Sequence, residues 1–371
     1  MCSGACIEVF TPDLKGEADD IYAVTGEVTD MAGYQRVTLS KASVIEAPEY
    51  FAATGCELTI EDNEGNTFSM EEYAEGEYRV WMDQAYLKAG RSYRLHVITL
   101  AGEELISAFD RMPEGASLDS VYYQREEITD ETTKEIYPGL QFYLDFTGSG
   151  TDSRYYRWSV EETWEYHSPY AIEYYYDGAR HAVSPPDSSL MICWNTEPVG
   201  KIFHLSTVNL AYNGMKRMPL HFVDNTTTKL YVGYSVLIRQ HALSDPAKVY
   251  WDQTKINSES AGGLYEKQPL PVKGNLENIT NPQKKVLGFF GACSVSEKRL
   301  FIPGIRDLGI YYDAVCLYAP LGRFGWREYP KSTYPIYYFY PDGLQILEKV
   351  CVDCRAHGGS TAKPEFWPSE M

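Results

Sequence analysis

Apolar residues along this chain recur mainly at every second position, in short runs broken by Gly, Pro, Asn and Asp. Period two marks a strand with one buried face. In the first part of the chain such runs occupy 21–28, 35–41, 56–60, 76–81 and 93–99, with a turn at 30–33 and hairpin chemistry at Asp62-Asn63-Glu64-Gly65. Short strands at this spacing predict an immunoglobulin-like or prealbumin-like β-sandwich over 21–112. Met112-Pro113-Glu114-Gly115-Ala116-Ser117 reads as a linker, placed at 113–117. Alternation resumes at 141–146, 155–166, 230–240, 285–290 and 298–302, which predicts a larger β-sandwich-type domain over 118–371. One helix interrupts it over 245–257: Asp245 can cap, Pro246 suits the first helical position, and Ala247, Tyr250, Trp251 and Thr254 share a face. The Gly-, Pro- and Asn-rich stretch 258–282 reads as a long ordered loop. The expected fold class is mainly β, with one inserted helix and long loops.

At 371 residues the chain exceeds one ordinary core, in keeping with two domains. Its 31 tyrosines favour pleated sheets and half-wet surfaces, since each ring keeps one polar end. A formal charge of −19 argues against a phosphate-backbone partner and against electrostatic adhesion to anionic headgroups. No run approaches the roughly 20 apolar residues of a membrane-spanning helix. At the start, Met1-Cys2-Ser3-Gly4-Ala5-Cys6 runs small residues into a cysteine, as lipoprotein signal peptidase leaves them. Cys6 is the expected acylated residue, Cys2 the alternative, and 1–20 the lipid-anchored tether. Of eight cysteines, removing one for a lipid leaves an odd number, so at least one thiol should be free. Cys351 and Cys354 have C-x-x-C spacing, but no second pair completes a zinc site. No metal is expected, and a structural disulfide involving this pair or Cys193 is.

Catalytic signatures are sparse. No histidine opens an H-E-x-x-H motif, and Gly233-Tyr234-Ser235-Val236-Leu237 lacks the second glycine of a nucleophile elbow. Glu161, Glu162 and Glu165 lie beside Trp158 and Trp164, and glycosidases need two carboxylates across a bond. On a strand, however, Glu161 and Glu165 share one face while Glu162 takes the other. No catalytic residue and no cofactor are therefore expected. Tyr155-Tyr156, Tyr174-Tyr175-Tyr176 and Tyr337-Tyr338-Phe339-Tyr340 place rings on both faces of their strands. One face fills a core; the other meets water, a domain or a ligand. Trp158, Trp164 and Tyr174 are the aromatics expected to meet a glycan or peptide.

Several segments taken together point to a family. They are the opening Cys6-Ile7-Glu8-Val9-Phe10-Thr11-Pro12, Leu118-Asp119-Ser120-Val121-Tyr122, Tyr155-Tyr156-Arg157-Trp158 with Glu162-Thr163-Trp164, Ile192-Cys193-Trp194, and Val286-Leu287-Gly288-Phe289-Phe290. The tail Cys351-Val352-Asp353-Cys354, Gly358-Gly359 and Lys363-Pro364-Glu365-Phe366-Trp367 is the most specific piece. Over nearly its full length the chain resembles the Bacteroidota lipoproteins grouped as domain of unknown function 4249. The resemblance implies an outer-membrane lipoprotein facing the cell exterior, encoded beside a SusC-type TonB-dependent transporter, which it would help to capture or deliver a ligand. It implies no reaction. It assigns the lipid to Cys6 and structural roles to Cys193, Cys351 and Cys354, leaves the pairing of Cys56, Cys293 and Cys316 open, and marks Ser120 as an O-glycosylation position. Two alternatives stand beside it: a stand-alone glycan- or peptide-binding lipoprotein, and a hydrolase whose carboxylates come from distant segments.

Overall fold

Val24 and Val28 on one strand, and Val37 and Leu39 on the next, point into the same core because successive strand side chains alternate between faces. The computed structural model describes residues 21–42, 50–150, 152–260, 272–310 and 316–369. Within them the protein is mainly β, in four sheets with one α-helix. The five strands read in the first hundred residues are present as Tyr22–Thr29, Gly33–Lys41, Glu57–Asp62, Glu77–Met82 and Ser92–Ile98. They form two layers that enclose Leu39, Tyr78 and Met82 from one side and Ile60, Tyr93 and Leu95 from the other.

The two sandwiches share a sheet. Its main path runs Ile192–Pro198, Tyr155–His167, Gly233–Ala242, Val286–Pro303, Tyr22–Thr29, Gly33–Lys41, Glu77–Met82, Glu71–Ala74. The strands expected at 285–290 and 298–302 are one continuous strand, Val286–Pro303. Its first half pairs parallel with Tyr22–Thr29, and its second half antiparallel with Gly233–Ala242. Phe290 and Ala292 consequently enter the first core, while Ile302 enters the second. The expected long loop also contributes a strand, Leu276–Asn278, which pairs with Glu104–Ser107. The first sandwich is thus completed by residues from the far end of the chain.

The connecting segment 113–117 lies against this shared sheet. Ser294 Oγ donates to Pro113 O at 2.6 Å, Gln240 Nε2 donates to Ala116 O at 2.8 Å, and Met112 and Ala116 are buried. Beyond it, Ser117–Thr129, Ile136–Thr147 and Gly214–Asp224 make a three-stranded sheet that covers the second half of the shared sheet. Leu140, Phe142, Leu144 and Phe146 meet Tyr156, Trp158, Tyr234 and Val236 in that second core.

Where the parallel pair forms, one glycine is indispensable. Gly288 has φ +94°, and a Cβ there would fall 1.8 Å from the Val24 carbonyl oxygen. Gly65 has nearly the same φ, +92°, but open space around it. Gly65→Ala is therefore expected to cost only the backbone strain, on the order of 1 kcal/mol, and Gly288→Ala about 3 kcal/mol or more. Urea unfolding of the two variants side by side checks this; equal losses would refute the backbone clash.

The helix Asp245–Ser260 lies where expected, but its cap is Ser244, not Asp245. Ser244 Oγ accepts from the Ala247 N–H at 3.2 Å, which satisfies one of the first-turn amides. Ala247, Tyr250 and Trp251 pack with Leu243 and Phe289 over the outer face of the shared sheet. A fourth sheet holds Arg180–Asp187, Ile172–Tyr176, Ile336–Phe339, Gln345–Leu347 and Tyr318–Pro320. Disulfide Cys316–Cys351 ties together the segments flanking Tyr318–Pro320 and Gln345–Leu347, and Cys193–Cys354 fastens the tail to the edge strand Ile192–Pro198 of the shared sheet. All three cysteines expected in disulfides are therefore bridged. Among the described residues Cys56 and Cys293 are not.

Candidate functional site

On Tyr155–His167 the alternation buries Tyr156, Trp158, Val160, Glu162, Trp164 and Tyr166 together. Trp158 and Trp164 are 1% and 7% exposed, so these two do not face a ligand as expected; they are core residues. The reason is the three-stranded sheet laid over that face, which strand spacing alone does not announce. Trp158 Nε1 donates to Gln240 Oε1 at 3.1 Å, inside the core.

Glu162 enters the same core as a charged group. Lys229 Nζ lies 2.8 Å from one oxygen, while His221 Nε2 at 3.0 Å and the Tyr234 hydroxyl at 2.6 Å meet the other. Burial alone would raise its pKa, but the hydrogen bonds of His221, Lys229 and Tyr234 outweigh it and hold the carboxyl at about 2. Glu161 lies opposite, on Arg239 and Arg299, and Glu165 on His167 and Trp367. The three carboxylates do not converge, in agreement with the facing read from the strand.

The outer face of the shared sheet holds a second polar group that no sequence spacing announces. Four neighbouring strands bring Glu27, Arg157, His241 and Cys293 together. Arg157 Nη2 reaches both Glu27 oxygens at 2.8 and 3.0 Å and stacks over Trp251 at 4.4 Å. His241 Nδ1 lies 3.0 Å from Glu27 Oε1 and 3.5 Å from Cys293 Sγ, while its Nε2 lies 3.0 Å from Ser159 Oγ. Burial would raise the Glu27 carboxyl, but Arg157 and His241 together hold it well below the ordinary range. Burial lowers the His241 pKa despite Glu27, and raises the Cys293 thiol well above its usual value. Glu27, Arg157 and Cys293 line a cavity of about 260 Å³ whose other walls include Leu243, Ala247, Tyr250, Trp251 and Phe289. An apolar, aromatic-walled cavity with a few convergent polar groups is the ordinary form of a small-ligand site.

The third feature lies on the fourth sheet. Tyr174 stacks on Tyr338 at 5.4 Å, Tyr176 on Trp326 at 4.3 Å, and Tyr340 meets both Tyr174 and Tyr338 edge-on. Tyr338 is buried at the centre, Tyr174, Tyr176 and Trp326 are half-buried, and Tyr340 is 48% exposed. Arg180 lies over the Trp326 ring at 5.5 Å. Of the three aromatics expected to face a ligand, Tyr174 alone keeps access. Ser120 is half-buried, with its Oγ donating to Asp145 Oδ2 at 3.0 Å. Cys2 and Cys6 lie outside the described residues.

A family described as domain of unknown function (DUF4249) matches residues 7–299. No curated protein matches the chain. Among solved structures, trypsin-activated alpha-2-macroglobulin from Escherichia coli is similar over 62% of this chain at 8% identity and a TM-score of 0.19, too loose a superposition to relate the two folds. The match covers 15% of that much longer chain.

Proposed function

The chain belongs to the DUF4249 family, and on that premise we propose a binding subunit: a lipid-anchored outer-membrane protein that helps a SusC-type TonB-dependent transporter capture or deliver its ligand. The observation that carries this reading is the aromatic face around Tyr338. Rings locked against one another lose little freedom on binding, and half-exposed Tyr and Trp are the side chains most often found as interface anchors. Two disulfides brace the surrounding segment, which keeps the face preorganised. An apolar-edged face within a chain of net charge −19 recognises its partner through rings and hydrogen bonds, with charge acting against wrong partners.

Replacing Tyr174 and Tyr340 together with Ala is expected to weaken association by about 30-fold, the loss of one interface anchor cluster of about 2 kcal/mol. Thermal stability should fall only modestly, because Tyr340 is half in water and Tyr174 is only half-buried. The check is co-purification from detergent-solubilised outer membrane. A wild-type chain that migrates without any transporter barrel would defeat the transporter reading. A stand-alone glycan or peptide receptor is the second reading, favoured by the parallel Tyr176–Trp326 pair, a geometry suited to stacking a ring. It requires binding of a glycan or peptide by the isolated chain, reduced in Trp326→Ala.

A further inference from the structure

We propose that Glu27, His241 and Cys293 form a site for one divalent transition-metal ion of the zinc class, with its open coordination position turned toward the cavity under the helix. One ligand atom from each residue lies within 4.8 Å of the others. Bonds of about 2.0–2.3 Å in a tetrahedral shell require ligand atoms about 3.3–3.8 Å apart. The imidazole nitrogen already lies 3.0 Å from the carboxylate and 3.5 Å from the sulfur, so small side-chain adjustments suffice. Thiolate, imidazole and carboxylate together suit late first-row ions and disfavour magnesium or calcium, which take oxygen shells. Three protein ligands with a fourth position free is the arrangement of sites where the ion meets a further molecule.

The surroundings fit this role. The ligands sit on adjacent strands of one sheet, so their backbones are fixed by the ladder. When His241 Nδ1 ligates, Nε2 carries the proton and donates to Ser159 Oγ, now 3.0 Å away; a serine hydroxyl accepts as readily as it donates. Glu27 keeps Oε2 for Arg157 and offers Oε1 to the ion. The Cys293 thiol proton leaves to water as the sulfur ligates, and the ion then balances one carboxylate and one thiolate. Hydrogen bonding alone accounts for Glu27 and His241. It does not account for a buried thiol turned toward the imidazole, since S–H is a weak donor. Arg157 Nε, buried without a hydrogen-bond partner on the cavity wall, adds a donor beside the open position.

Cobalt(II) titration of the full chain carrying Cys2→Ser and Cys6→Ser tests the site, because a cobalt–thiolate bond adds a charge-transfer absorption. The expected result is one ion per chain with that absorption, lost in Cys293→Ser and unchanged in Cys56→Ser. Ser159→Ala should weaken affinity by about 10-fold, as removal of a group that orients a ligand does. Absence of the absorption in the parent chain overturns the proposal whatever the variants do. So does an absorption that survives Cys293→Ser or disappears with Cys56→Ser.

Discussion

Glu162→Gln is expected to destabilise the fold by about 3–5 kcal/mol at neutral pH, the cost of removing one member of a buried charged network. The amide keeps the shape of the side chain but leaves Lys229 without its buried counter-charge; Glu197, at 3.8 Å and largely exposed, is a poor substitute. Lys229 is also held over the Trp164 ring at 4.5 Å, so the disturbance reaches the core. The same network sets a pH dependence. The folded carboxyl titrates at about 2 against an ordinary 4.5. A depressed folded pKa stabilises above the unfolded value and is lost as pH falls toward the folded one. The gap between wild type and Glu162→Gln should therefore narrow by about 3 kcal/mol between pH 4.5 and pH 2. Urea unfolding across that range measures it. A gap independent of pH would show that charge is not what the site preserves. Glu161→Gln, on the more exposed face, should change stability by no more than about 0.5 kcal/mol.

Loss of the Cys193–Cys354 bridge is expected to cost about 2–5 kcal/mol and to free the tail first. The bridge spans 161 residues of sequence, the longer of the two loops, so its removal restores the most freedom to the unfolded chain. Around it the tail is held by a few contacts: Ser360 and Trp194 exchange backbone hydrogen bonds, Trp367 Nε1 donates to Glu165 Oε2 at 3.1 Å, and Arg299 lies over the Phe366 ring at 3.5 Å. Limited proteolysis of a Cys193→Ala/Cys354→Ala double variant should cut after residue 354 at protease levels that spare wild type. An unchanged digestion pattern would show that packing of Trp367 is enough by itself.

What could be read beforehand follows from which faces are covered. Strands with one wet face announced themselves, and the split of Glu161 and Glu165 from Glu162 came directly from period two. The continuity of Val286–Pro303 between its two legible ends does not show, because every residue from 289 to 294 is buried and alternation disappears where both faces are covered. Phe289 meets the helix while Phe290 enters the first core. The Glu27–His241–Cys293 group is hidden for a related reason: it depends on the register of two strand pairs, which no local spacing encodes. Trp158 and Trp164 are buried, against expectation, because the sheet that hides them is contributed by 117–129, 136–147 and 214–224.

The strand that unites both cores also dictates a timetable. Tyr22–Thr29 lies early in the chain, yet one of its hydrogen-bonding neighbours comes only with residues 286–293. Until then its free edge is open to pairing with other chains, and closing so long a loop slows folding. The first sandwich is thus expected to close only once residues 286–293 are in place, and a chain truncated midway should present an N-terminal half that proteases still digest.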